Sequence, residues 1–126
     1  MRDLVYIAAC CVLLMTAACS KQYRAQGVVK DFMRENMAEG VKARAVSFHG
    51  IDSTRRINDS TVCAMRVGAE ASGRYRKGIA YADGEGVSTC PLIISRVSYY
   101  VDTVECYDTY YLDSEMTTVI AVKVTE

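Results

Sequence analysis

Residues 91–124 read P-LIISRVSYYV-DT-VECYDTYYL-DSEM-TTVIAVKV, with Pro91 first and Val124 last. β-Branched and aromatic residues crowd this stretch, and they suit a pleated, half-buried surface. It breaks at turn-forming residues. Asp102-Thr103 separates a strand over 92–101 from one over 104–112, and Asp113-Ser114-Glu115 precedes a third over 117–124. Ile120, Val122 and Val124 fall on one face of that last strand. Pro91 stands at a strand start, where its missing N–H costs no ladder bond. Short connections between consecutive strands predict a three-stranded antiparallel meander.

Upstream the period changes. In residues 25–39 (AQGVVKDFMRENMAE), Val29, Phe32, Met33 and Met37 line one helical face, and Lys30, Asp31, Arg34 and Glu35 fill the other. Gly40 is placed to end that helix as a left-handed residue. Residues 42–51 (KARAVSFHGI) alternate as a strand whose inner row is Val46 and Phe48. Residues 52–59 form a polar connection. Residues 60–80 admit two readings. Val62, Met65, Ala69, Ser72 and Ile79 keep a helical face, with Asp59 or Ser60 as cap, whereas Cys63, Met65 and Val67 make a strand row. The helix is preferred, although Gly68, Gly73 and Gly78 each cost about 1 kcal/mol relative to alanine in a helix, and it is expected to fray after Gly73. The order α-β-α-β-β-β predicts an α+β fold with helices on one face of the meander, built as a single domain over 25–126.

The whole chain has 126 residues, with 15 Lys+Arg against 15 Asp+Glu, so one domain is the ceiling and no basic footprint for nucleic acid exists. At 51% hydrophobic and 24% charged it carries enough apolar surface to fold. Residues 4–18 form an uncharged run after Arg2, too short to span roughly 30 Å of hydrocarbon but of signal-peptide length. It ends in Thr16-Ala17-Ala18-Cys19, which resembles the lipobox of bacterial lipoproteins. That resemblance implies a signal peptide over 1–18, an acylated Cys19 and a lipidated tether over 19–24. Thr16 stands where the family prefers leucine. Ile7-Ala8-Ala9-Cys10 is a rival box with too short an apolar run before it.

Ser20 after the cysteine is not the aspartate that retains enterobacterial lipoproteins at the inner membrane, and the following KQYR is basic rather than acidic. By resemblance this places the protein on the outer membrane, facing the periplasm. The segments VVKDFMRENM, VSFHGIDST and TYYLDSEMTTVIAV also resemble small lipoproteins of gut Bacteroidetes. The implied role is that of a lipid-anchored envelope protein, with no catalytic residues to carry over.

Few residues invite chemistry. His49 is the sole histidine, and a triad or zinc site needs more. No Walker loop, GxGxxG, HExxH, GxSxG or CxxC occurs, so no enzyme, cofactor or metal is expected, and the acidic Asp83-Gly84-Glu85-Gly86 reads as a turn. Cys63, Cys90 and Cys106 follow the leader. A second helix starting level with the Asp102-Thr103 hairpin would bring Cys63 to Cys106 as one periplasmic disulfide. Tyr99, Tyr100, Tyr107, Tyr110 and Tyr111 cluster on the meander, and tyrosine suits a binding surface. Adjacent pairs put one ring on each sheet face.

The triplets at Asp52, Asp59 and Asp102 resemble the O-glycosylation signal of exported Bacteroidetes proteins, with Ser53, Ser60 and Thr103 as acceptors. The function expected is a non-enzymatic interaction module holding an envelope protein partner. The alternative is a small-ligand or peptide binder using a helix–sheet cleft lined by tyrosine.

Overall fold

The computed structural model describes residues 20–81 and 91–125. Residues 20–36 form helix α1. Strand β1 spans Arg44–Thr54, helix α2 Asp59–Ala71, and strands β2, β3 and β4 span Leu92–Val101, Val104–Leu112 and Val119–Thr125. The strands make one antiparallel sheet in the order β1-β2-β3-β4. The fold is α+β, and the three C-terminal strands are the expected meander. The strand expected over 42–51 extends that sheet to four by pairing with β2, from Arg44 opposite Tyr100 to Thr54 opposite Leu92.

β1 reaches this register through two irregularities, at Ala45 (φ 51°) and Gly50 (φ 48°). A residue with positive φ inside a strand is a bulge, which bends an edge strand away from further pairing. After the first bulge Phe48 packs against the core, while Val46 remains 37% exposed. The inner row expected for this strand is therefore half realised.

Alternation along β2 and β3 gives the sheet two faces. Val97, Tyr99, Cys106, Tyr110 and Leu112 face one way, under Ala25, Val29 and Met33 of α1. Leu92, Ile94 and Tyr111 face the other way, against Val62 and Met65 of α2. Ala69 of α2 belongs to the first cluster. The helices therefore do not share one face. α2 packs against β4, with Arg66 Nε donating to the Ile120 carbonyl at 2.9 Å, and contributes to both clusters.

Helix boundaries shift for local reasons. α1 takes in residues 20–24, expected as a tether; Lys21, Gln22 and Arg24 there are all good helix formers. It stops three residues early because Met37 leaves it to bridge Tyr75, and Gly40 then serves the turn that Val41 N closes on Ala38 O. α2 is capped by Asn58, one residue before the expected cap, whose Oδ1 accepts from Thr61 N at 2.8 Å. It ends at Ser72 and Gly73 (φ 77°), not near residue 80. The positive φ, accessible to glycine without Cβ strain, turns the chain back beneath α1.

Candidate functional site

The chain after α2 is short and polar, yet it is held under α1. Ala38 N donates to Arg74 O at 2.8 Å and Arg76 N to Asn36 O at 2.9 Å. The Arg76 side chain bonds Asn36 Oδ1 as well, at 3.0 Å. This clamp delivers Arg74 and Tyr75 to the sheet, where Tyr99, Asp108 and Tyr110 point at them from β2 and β3.

Asp108 is 1% exposed, on the inward row between Cys106 and Tyr110. Both oxygens of its carboxylate accept hydrogen bonds. Arg74 donates to Oδ1 at 2.7 Å, while Tyr75 and Tyr99 both donate to Oδ2 at 2.5 Å. Arg74 Nε also donates to Tyr99 Oη at 3.0 Å, and the hydroxyls of Tyr75 and Tyr110 bond each other. Phe32 of α1 covers the group, its ring centroid 6.1 Å from that of Tyr75 and 5.7 Å from that of Tyr110. Burial opposes the Arg74 charge, but hydrogen bonds to Asp108 and Tyr99 and the attraction of Asp108 outweigh it and raise its pKa. Burial, reinforced by the nearby carboxylate, raises Tyr75, Tyr99 and Tyr110 above the usual tyrosine value. A charge so enclosed ties three chain segments together.

The five clustered tyrosines therefore divide. Tyr99 and Tyr110 are fully buried, and Tyr111 lies buried on the opposite face under α2. As members of a binding surface these three are corrected: the inward row needed bulk beneath α1, and α2 covers the other face at Tyr111. Tyr100 and Tyr107 remain, 41% and 49% exposed on the open face. Glu105 holds both, accepting from Tyr107 at 2.6 Å and from Tyr100 at 3.4 Å. The hydrogen bond to that carboxylate raises the Tyr107 pKa. The same face carries Arg96 and His49, whose Nε2 shares a hydrogen bond with Ser98 Oγ at 2.9 Å.

A groove of about 540 Å³ lies elsewhere, between the end of α1 and the start of β1. Met33, Met37, Val41, Ala43 and Val46 form its floor, and Lys30, Arg34 and Lys42 its rim. Among the described residues no tyrosine lines it. The tyrosine cleft expected between helix and sheet is filled by Phe32, Tyr75 and Tyr110.

The expected Cys63–Cys106 disulfide is corrected, for both thiols are free. β1 runs antiparallel beside β2 and ends opposite Leu92, so α2 begins at that end of the sheet, not at the hairpin. Cys106 sits six residues along β3 from Leu112, about 20 Å away at the usual strand rise. Cys63 is exposed and Cys106 buried. Alkylation of the folded protein followed by peptide mapping is expected to label Cys63 promptly and Cys106 only after denaturation. Equal labelling would contradict this packing.

Ser53, Ser60 and Thr103 are all exposed, on β1, in the first turn of α2 and in the β2–β3 turn. Cys10, Cys19, the lipobox, Cys90 and the 83–86 turn lie outside the described residues. Among the described residues no cluster of three His, Cys, Asp or Glu side chains is placed to hold a metal, and no helix is long and apolar enough to cross a membrane.

Sequence reasoning missed two features here. Asp108 had a visible signal, a carboxylate on an inward strand row between Cys106 and Tyr110. Arg74 had none, since its approach depends on the clamp to α1. Compared with protein-family models, curated proteins and solved structures, the chain finds no match in any of the three.

Proposed function

We propose that this chain is a non-enzymatic interaction module, tethered by an acylated Cys19 to the periplasmic face of the outer membrane, that holds an envelope protein partner. The open sheet face supports this best. Tyr100 and Tyr107 stand out from it, and the Glu105 carboxylate fixes both hydroxyls. Rings restrained before contact lose little rotamer freedom on binding, and exposed tyrosines flanked by Arg96 make good interface anchors. The buried Asp108 network supports a structural role for its own charges, because its oxygens are occupied by Arg74, Tyr75 and Tyr99.

The test is capture of the tagged, full-length protein from detergent-solubilised membranes of its host. A defined envelope protein should be recovered with the wild type. The Tyr100→Ala/Tyr107→Ala double variant should weaken that partner by roughly 30-fold or more, the loss of a hot spot of about 2 kcal/mol. Recovery of the bait alone, or no effect of the double variant, would refute the reading. Mass spectrometry of the same material should find an acylated Cys19 at the N-terminus, and an intact leader would remove the anchor from the proposal.

A further inference from the structure

The groove at the end of α1 is distinct from the tyrosine face and combines two chemistries. Its floor is apolar and adaptable, because Met33 and Met37 have flexible, polarizable side chains. Its rim holds three cationic side chains, and among the described residues no carboxylate lines it. We propose that this groove binds a single-chain anionic amphiphile, a medium-length alkyl carboxylate whose chain lies on the methionine floor and whose head meets Lys30, Arg34 and Lys42.

Size favours a small ligand over a protein. A volume of about 540 Å³ falls within the range of small-molecule sites, roughly 300–1,000 Å³. A stable protein interface engages about 20–30 residues a side, whereas nine line this groove. Charge decides the head group. Lys30 lines the groove, and its Nζ sits 5.6 Å from the centroid of the Phe48 ring. Arg34 bonds Asp31 at 2.9 Å, but both side chains are largely exposed, and such pairs exchange partners at little cost. A carboxylate entering the rim meets Lys30 and Lys42 directly and competes with Asp31 for Arg34. A cationic head would be repelled, and a neutral one would forgo the ion pair.

Methionine methyl resonances give the readout. The full-length protein carries Met33 and Met37 at the groove and Met65 and Met116 in buried positions away from its lining. With the protein in zwitterionic phospholipid nanodiscs, titration of octanoate should shift the Met33 and Met37 methyls saturably. Met65 and Met116 should stay in place. Lys30→Glu/Lys42→Glu should weaken octanoate about tenfold or more, and octyltrimethylammonium should not saturate the same methyls. If charge reversal also moves Met65 or Met116, Lys30→Gln/Lys42→Gln takes its place, with at least a severalfold weakening expected. Unmoved Met33 and Met37 would overturn the proposal. So would equal binding of octanol or the cation, or an acidic amphipathic peptide that shifts these methyls where octanoate does not. Tyr100→Ala/Tyr107→Ala should leave octanoate binding unchanged, so failure here and failure of the protein-partner reading are separable.

Discussion

Asp108→Asn is expected to lower folding stability by about 3–5 kcal/mol, toward the lower end because Arg74 is not wholly enclosed. The substitution keeps the shape and removes the charge. It leaves an amide NH₂, a donor, facing at least one of three donors: the Arg74 guanidinium and the hydroxyls of Tyr75 and Tyr99. Arg74 is 16% exposed at its side chain, so it recovers some hydration by moving outward, whereas the two hydroxyls have no such exit. Urea unfolding followed by circular dichroism measures the loss. Arg74→Met should also be costly, because it strands a carboxylate with no exposure of its own, and the double variant should cost less than the sum, because each change removes the reason for the other. A loss under about 1 kcal/mol for Asp108→Asn would mean that water reaches the carboxylate and that the network is not a strut.

The same residues show what a sequence discloses. β2 and β3 were legible to the residue, because β-branched and aromatic runs stop at Asp102-Thr103 and at Asp113. Asp102 takes a left-handed φ of 56° in that hairpin, and aspartate is among the residues that tolerate it. The position of β1 was not legible, since an isolated alternating segment carries no label for its neighbour. That omission propagated. A strand joined to β2 starts α2 at the end of the sheet away from the hairpin, which separates Cys63 from Cys106. The length of α2 was misjudged because Ile79 kept the helical period by coincidence. Ile79 is buried in the core through the irregular chain after Gly73, not through a helix face.

The tyrosines illustrate the same limit. Periodicity placed one ring of each adjacent pair on each face, as Tyr99 and Tyr100 and again Tyr110 and Tyr111 are found. Which face stays open depends on where the helices lie. α1 covers Tyr99 and Tyr110, α2 covers Tyr111, and only toward the hairpin end does the second face stay open, at Tyr100 and Tyr107. The groove was hidden for a related reason. Met33 and Met37 read as core from their spacing, and both do pack on the core. Their further role in lining a groove requires Lys42 and Val46, brought alongside by the turn at Gly40.

Alkaline unfolding is expected to be steep, and the buried hydroxyls set its slope. Burial, first, and the Asp108 carboxylate raise Tyr75 and Tyr99; burial raises Tyr110 despite its bond to Tyr75. An unfolded tyrosine ionises near about pH 10. Below that pH both states keep the three protons, and the stabilisation is complete. Above it the unfolded chain releases protons that the folded chain retains, so stability falls as pH rises toward the folded values. Each such proton contributes about 1.4 kcal/mol per pH unit, or roughly 4 kcal/mol per unit for the three together. Arg74 adds nothing to the slope, for its guanidinium stays charged in both states across this range. Urea midpoints measured between about pH 8 and pH 11 should therefore be flat at first and then drop sharply, with tyrosinate absorbance from these three rings appearing only as the fold is lost. Tyr75→Phe/Tyr110→Phe removes two of the three groups and should cut their share of the slope to about a third, even though the variant starts less stable. Tyrosinate that grows in smoothly near pH 10 with the fold intact would show that the hydroxyls reach solvent, and the enclosed network around Asp108 would have to be abandoned.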